Sequence, residues 1–139
     1  MSRKKRRWLG FVGLAVAAIV GWNALALQPE LFVLRKMLRD PDVVYVIEGA
    51  RPFTHWCLRG EKVTIASGSV ADPDDPFRTR DGKPIMYLQL DGVMPTGWMR
   101  FRVNAGYLAG PLYGQGDAIT VAWESGGWRI VGSEIAWES

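Results

Sequence analysis

The stretch Trp98-Met99-Arg100-Phe101-Arg102-Val103 decides how the folded part of this chain is organised. Its apolar and polar side chains alternate with a period of two, which is typical of a β-strand that buries one face. The predicted buried face holds Met99, Phe101 and Val103, and the predicted exposed face holds Trp98, Arg100 and Arg102. An aromatic residue beside arginines is favoured at protein interfaces, although a plain solvated face with one stray aromatic looks the same. The exposed three are therefore candidate interaction residues.

Shorter runs with the same period flank this stretch on both sides. They lie at residues 62–65, 86–90, 119–123 and 128–131, and each is bounded by glycine, proline or aspartate. Alternation of this kind belongs to an antiparallel sheet with one buried face. We therefore expect a β-meander, in which Trp123 is in phase with the core face of its strand.

An amphipathic helix of about ten residues is predicted before the strands. Pro29 suits its first position, because proline there lacks only a donor that would be unpaired anyway. Leu31, Leu34 and Leu38 then recur at helical spacing. One such helix followed by a meander predicts an α+β domain, with one or two helices packed on a curled, cystatin-like antiparallel sheet.

The N-terminal region carries a predicted membrane anchor. Residues 8–27 (WLGFVGLAVAAIVGWNALAL) contain no charge, and a helix of this length is about 30 Å long, which matches the hydrocarbon thickness of a bilayer. The basic run 3–7 precedes it and favours a cytoplasmic N-terminus. We expect a basic tail (1–7), a single-pass inner-membrane signal-anchor (8–27) and a periplasmic α+β domain (28–139). The alternative is a secretory signal cleaved after Ala26.

The composition excludes several classes of function. The 139 residues are 48% apolar and 22% charged, which suits one folded domain. Five of the 17 basic residues lie in the run 3–7, and the rest of the chain carries 12 basic and 14 acidic residues. This is not the distribution of a nucleic-acid-binding protein. A single cysteine excludes an intrachain disulfide and a multi-cysteine metal cluster.

His55 and Cys57 are the most reactive pair in the sequence. On a strand they would share one face and offer nitrogen and sulfur to a soft metal, but two ligands do not make a site. A small buried thiol beside a solvated histidine is the simplest interpretation, and a cysteine that cross-links to a partner in an oxidising compartment is a further alternative. We keep both as candidate interaction residues. We predict no catalytic, metal or cofactor-binding residues and no enzymatic activity, since one imidazole and no Gly-x-Ser-x-Gly elbow are present.

Two further segments resemble ligand sites only superficially. The acidic residues of 72–81 lack the glycine and glutamate of a calcium loop, whose places hold Phe77 and Lys83, so a solvated turn is predicted. The glycine-rich run 110–116 lacks the Lys-Ser/Thr ending of a phosphate-binding loop. We expect a loop there that needs unusual backbone angles.

Short motifs along the chain resemble a known family. They are Leu38-Arg39-Asp40-Pro41-Asp42-Val43-Val44, Gly49-Ala50-Arg51-Pro52, the strand at Gly68, Gly110-Pro111-x-x-Gly114-x-Gly116 and Gly127-Trp128-Arg129-Ile130. In this order they resemble the cytochrome c oxidase assembly factor one family. The resemblance implies a membrane anchor, a small α+β domain, no catalytic residues and a helix over residues 41–48. The β-branched run 43–47 favours a strand instead. Pro41 suits a first helical position and Gly49 suits the place just past a helix end, so we expect the helix that the resemblance implies.

The expected function is therefore interaction rather than chemistry. We expect a non-enzymatic single-pass membrane protein whose periplasmic domain binds another membrane protein, and the resemblance implies a role in assembling cytochrome oxidase. The alternative is a cystatin-like or nuclear-transport-factor-like module. Such a module would hold a small ligand or an envelope partner in the concave face of its sheet.

Overall fold

The computed structural model describes residues 2–138 and confirms the α+β class. A long helix precedes the strands, and a four-residue helix follows the first of them. The α-helices and strands are α1 (Arg3–Met37), β1 (Val44–Glu48), α2 (Thr54–Cys57), β2 (Thr64–Ile65), β3 (Ala71–Asp72), β4 (Asp75–Thr79), β5 (Ile85–Gly97), β6 (Arg100–Gly110), β7 (Tyr113–Glu124) and β8 (Gly127–Glu138). Gly68–Val70 form a 3-10 helix, so the strand expected at Gly68 is wrong.

The main sheet is open and mixed. It has six strands in the order β2-β1-β5-β6-β7-β8. Strands β5 to β8 form the predicted antiparallel meander. The expectation of a wholly antiparallel sheet is wrong, because β1 runs parallel to both β2 and β5. Parallel neighbours need a crossover connection, and the segment containing α2 supplies it between β1 and β2.

Helix α1 is continuous over 35 residues, from the basic N-terminal run to Met37. The prediction that a separate helix starts at Pro29 is wrong, because Pro29 lies inside α1 and is buried. An interior proline removes one helical hydrogen bond and costs about 3 kcal/mol. The burial of Leu31 and Leu34 against the sheet offsets this cost and carries the helix through the proline.

The second helix that the family resemblance implies over residues 41–48 is wrong, since residues 44–48 form strand β1. Its first four residues, 44–47, are all buried, because β1 is covered on both faces. A strand covered on both faces is apolar throughout instead of alternating. Pro41 lies in a turn, where the Asp40 Oδ1 atom accepts the Asp42 N–H at 2.9 Å.

The core lies between the C-terminal half of α1 and one face of the sheet. Its buried members are Leu31, Val33, Leu34, Leu38, Tyr45, Ile47, Leu58, Leu88, Leu90, Phe101, Val103, Ala105 and Val121. The Tyr45 hydroxyl accepts the backbone N–H groups of Arg39 and Asp40 at 3.3 and 3.1 Å. These bonds fix the chain where it leaves α1.

The stretch 98–103 divides between a turn and a strand. Phe101 and Val103 are buried in β6, as their alternation predicts. Trp98 and Met99 form the tight connection from β5 to β6, with Met99 at φ 48°. The predicted core position of Met99 is therefore wrong, because the turn takes it out of the strand and leaves it half-buried.

The glycine-rich run 110–116 belongs mostly to strands, so the expected loop is wrong. Gly110 ends β6, and Gly114 and Gly116 lie in β7. A side chain at Gly116 would overlap the indole of Trp137, its partner on β8. The glycine therefore leaves room for an aromatic ring and does not serve an unusual backbone angle.

Candidate functional site

A cluster of polar side chains joins α1 to the segment before α2. We call Asn23, Glu30, Arg51 and Thr54 the polar joint. Glu30 is 2% exposed. Its Oε1 atom accepts from the Arg51 backbone N–H at 3.2 Å and from the Thr54 hydroxyl at 3.1 Å. The Arg51 Nη1 atom donates to Asn23 Oδ1 at 2.9 Å.

Arg51 neutralises the buried Glu30 carboxylate. The Arg51 Nε atom lies 3.3 Å from Glu30 Oε2, but its N–H does not point at an acceptor, so this contact is ionic without being a hydrogen bond. Sequence reasoning missed the joint because Glu30 directly follows Pro29, the predicted helix start, and a carboxylate in a first helical turn needs no partner elsewhere. The available signal was a lone carboxylate between apolar runs, since a buried charge requires a partner elsewhere in the fold.

Helix α1 covers only part of the sheet, and an apolar surface remains uncovered beside it. Residues opposite each other in a ladder share a face, and buried Val121 pairs with Ile130 while Asp117 pairs with Ile135. Ile130 and Ile135 therefore point to the side of the sheet that α1 covers, yet they are 48% and 62% exposed. We call this surface the open sheet face; it comprises Ile119, Trp123, Trp128, Ile130 and Ile135.

Aromatic contacts connect the open sheet face to α1. The ring of Trp123 lies edge-on to that of Trp128 at 5.4 Å, Trp128 lies 5.9 Å from Phe101, and Phe101 lies 6.4 Å from Trp22 of α1. Trp123 thus has the predicted phase, but it is 44% exposed because α1 does not reach it. Beyond it, β8 presents a 12-residue edge with unpaired backbone groups.

The predicted interaction residues Trp98, Arg100 and Arg102 lie elsewhere. Arg100 and Arg102 are exposed on the face of β6 opposite to buried Phe101. The Arg100 Nη2 atom lies 3.8 Å from Glu124 Oε1, and an exposed pair of this kind contributes little to stability. Trp98 is 95% exposed at the tip of the β5–β6 turn.

His55 and Cys57 lie on α2 and not on a strand, so the strand geometry that would give them a common face is absent there. The chain enters α2 through Phe53, whose φ is 70°, and residues two apart on a helix do not face each other. His55 is exposed, whereas Cys57 is half-buried. Among the side chains of residues 2–138, no group of three or more His, Cys, Asp or Glu could hold a metal ion.

A cavity of about 610 Å³ lies where β1, α2 and β2 meet. Its polar lining includes Glu48, His55, Arg59 and Ser67.

A second cavity of about 280 Å³ lies between the end of α1 and strands β5 to β7. There, a hydrogen bond with the Tyr113 side chain and burial raise the pKa of Tyr107 above its ordinary value.

The acidic segment forms the β3–β4 hairpin and the turn after β4. Asp72 Oδ1 accepts the Asp74 N–H at 2.9 Å. Asp81 Oδ1 accepts the Thr79 hydroxyl at 2.6 Å, and this bond lowers the pKa of Asp81. These carboxylates are engaged in local turn structure.

One helix within residues 2–138, α1, is long and apolar enough to cross a membrane. Comparisons with protein-family models, curated proteins and solved structures give no match. The fold and surfaces thus define an α+β domain that continues directly from a helix of membrane-spanning length. Membership of the cytochrome c oxidase assembly factor family stays a prediction.

Proposed function

We propose that this chain is a single-pass inner-membrane protein whose periplasmic domain binds another membrane protein. The observation that carries the proposal is the open sheet face, where Trp123, Ile130 and Ile135 are each exposed on the same side of β7 and β8. Contiguous exposed apolar side chains on a folded domain mark interaction sites. Complete burial of a large apolar side chain contributes about 1.5–3 kcal/mol, so a few such residues support specific binding.

The position of this surface favours a membrane-protein partner. Trp128 lies on the open sheet face and contacts Phe101, which in turn contacts Trp22 near the end of the exposed part of α1. A transmembrane helix lying beside α1 would lead its own protein directly onto this surface. The free edge of β8 offers backbone hydrogen bonds to an added strand as well.

The partner class can be stated more narrowly. The motif resemblance suggests a subunit of cytochrome oxidase, bound while that complex is assembled. The scarcity of groups suited to catalysis in the sequence agrees with a role based on contact. This narrower form rests on the resemblance alone, whereas the binding surface rests on the exposure of β7 and β8.

Photo-crosslinking in intact membranes tests the surface. A photoreactive amino acid replaces Ile135 on the open sheet face or, as a matched control, Glu134 on the opposite face of the same strand. Both side chains are exposed, so neither change should disturb the core. We expect position 135 to capture a discrete membrane protein and position 134 to capture none.

Two results would count against the proposal in different ways. Equal capture at both positions, or none at either, contradicts a binding role for the open sheet face. Capture at position 135 of a protein that belongs to no respiratory complex leaves the surface in place and removes the cytochrome oxidase role.

The cavity beside α2 favours a second candidate, a module that binds a small ligand. His55 and Arg59 stand beside apolar Val63 and Ile65 in its lining, which also holds one carboxylate, Glu48. Arg59 is the group that would bind an anion with an apolar body there. A thermal-shift screen of small carboxylates and phosphates, repeated with Arg59→Ala, tests it. Stabilisation that needs Arg59 supports the cavity, and stabilisation that survives the substitution places the ligand elsewhere.

A further inference from the structure

The part of α1 that is free to contact lipid is shorter than a bilayer. The unbroken exposed apolar run extends from Trp8 to Trp22, because Asn23 is half-buried and bonded to Arg51. These 15 residues span about 22 Å of helix, whereas the hydrocarbon layer is about 30 Å thick. Moving hydrocarbon further along α1 would place the charged groups of the polar joint inside it, which is costly.

The β5–β6 turn extends from the domain in the direction of the membrane. The C-terminal end of α1 lies beside Ala105 and Tyr107 of β6, because Lys36 and Met37 line one cavity with these two residues. Nearer the membrane, Trp22 contacts Phe101 of the same strand. The N-terminal end of β6 is therefore the end of the strand that lies nearer the bilayer. Trp98 lies beyond Phe101 by three residues, at the tip of the turn that precedes β6.

The segment around α2 reaches the same level from a separate element. Phe53 and Trp56 line one groove with Ile19 and Val20 of α1, which lie on the membrane side of Trp22. Phe53 is 74% exposed and Trp56 is 64% exposed. Phe53 also has a left-handed backbone, with φ 70°, and strain of this kind in a bulky residue persists only where the surrounding structure enforces it.

We propose that Phe53, Trp56 and Trp98, which we call the aromatic rim, enter the outer headgroup layer of the bilayer and seat the domain on the membrane. This inference rests on the membrane anchoring in the proposed function. Amphipathic elements at interfaces sink about 5–10 Å into this layer, and the shortfall of α1 is about 8 Å by the lengths above.

The chemistry around the aromatic rim fits phospholipid. Tryptophan is enriched at membrane–water interfaces, where its ring lies among headgroups. Arg59 lies in the same local cluster as Phe53 and Trp56, and Arg100 follows Trp98 by two residues. Arginines at this height bind lipid phosphates through charge-assisted hydrogen bonds. Seating the domain in this way would hold the open sheet face at a constant height for its partner.

Depth measurements on the full chain test this seating. A small environment-sensitive fluorescent amino acid is placed at position 53, 98, 112 or 16 of the purified, otherwise unchanged protein. Each protein is reconstituted into phosphatidylcholine–phosphatidylglycerol vesicles with or without headgroup-region nitroxide lipids. Leu112 is the matched control, because it is an 85% exposed apolar residue at the opposite end of β6. Val16 reports whether α1 itself lies in lipid.

Positions 53 and 98 are expected to shift their emission to the blue and lose most of it to the nitroxide lipids. Position 112 should keep the emission of a water-exposed group and lose little of it to the nitroxide lipids. If the emission of position 16 is that of a group in lipid while 53 and 98 stay in water, the bilayer thins around α1 and the seating is refuted. If position 16 also stays in water, the membrane anchoring of the proposed function fails first.

Discussion

Replacing Gly49 with alanine tests the junction that positions the polar joint and α2. Gly49 follows β1 and has a φ of 75°, which costs an alanine about 1–2 kcal/mol. The new methyl group would also overlap the Leu90 carbonyl oxygen on β5. Forcing a group into a packed site costs about 1–3 kcal/mol more. We therefore expect Gly49→Ala to lower the free energy of unfolding by about 2–5 kcal/mol.

The chain offers a control that separates the two costs. Gly82 has a φ of 86°, but open space surrounds the position of its missing side chain. Gly82→Ala should therefore lower the free energy of unfolding only by the cost of the left-handed backbone, about 1–2 kcal/mol. Urea unfolding of both variants in detergent, followed by near-ultraviolet circular dichroism, measures the difference. Equal losses would refute the close approach of Gly49 to β5 and the β1–β5 pairing that creates it.

Two further substitutions test the packing. Arg51→Ala leaves the Glu30 carboxylate buried without its cation, so it should lower the free energy of unfolding by about 3–5 kcal/mol. A coupling energy near zero in a double-mutant cycle with Glu30→Gln would contradict the interaction between Glu30 and Arg51 in the polar joint. Gly116→Ala should displace the Trp137 indole, lower stability by about 1–3 kcal/mol and change tryptophan emission. Gly132→Ala, which meets only ordinary contacts at Thr120, should do neither.

Local periodicity predicted much of the fold. The alternation of Phe101 and Val103 correctly identified the buried face of β6, because period-two burial depends only on one covered face. The apolar run 8–27 likewise indicated a helix of membrane-spanning length, and α1 is one. The β-branched run 43–47 was a better guide than the motif resemblance, since β1 is a strand.

Other features depend on contacts that one stretch of sequence does not contain. Pro29 resembles a helix start, and only packing against distant strands carries α1 through it. Glu30 and Arg51 are 21 residues apart, so neither could be recognised as half of a pair. The open sheet face exists because α1 is too narrow to cover six strands. The alternation of side chains along β8 alone does not reveal whether α1 covers that strand.

The most direct test of the account is the side of the membrane on which the domain lies. Single-cysteine variants Leu112→Cys and Ser2→Cys are made in a Cys57→Ala background and treated with a membrane-impermeant maleimide in intact spheroplasts. If the domain is periplasmic, Leu112→Cys is labelled at once and Ser2→Cys is labelled only after permeabilisation. Labelling of Leu112→Cys only after permeabilisation would place the domain in the cytosol and contradict the account.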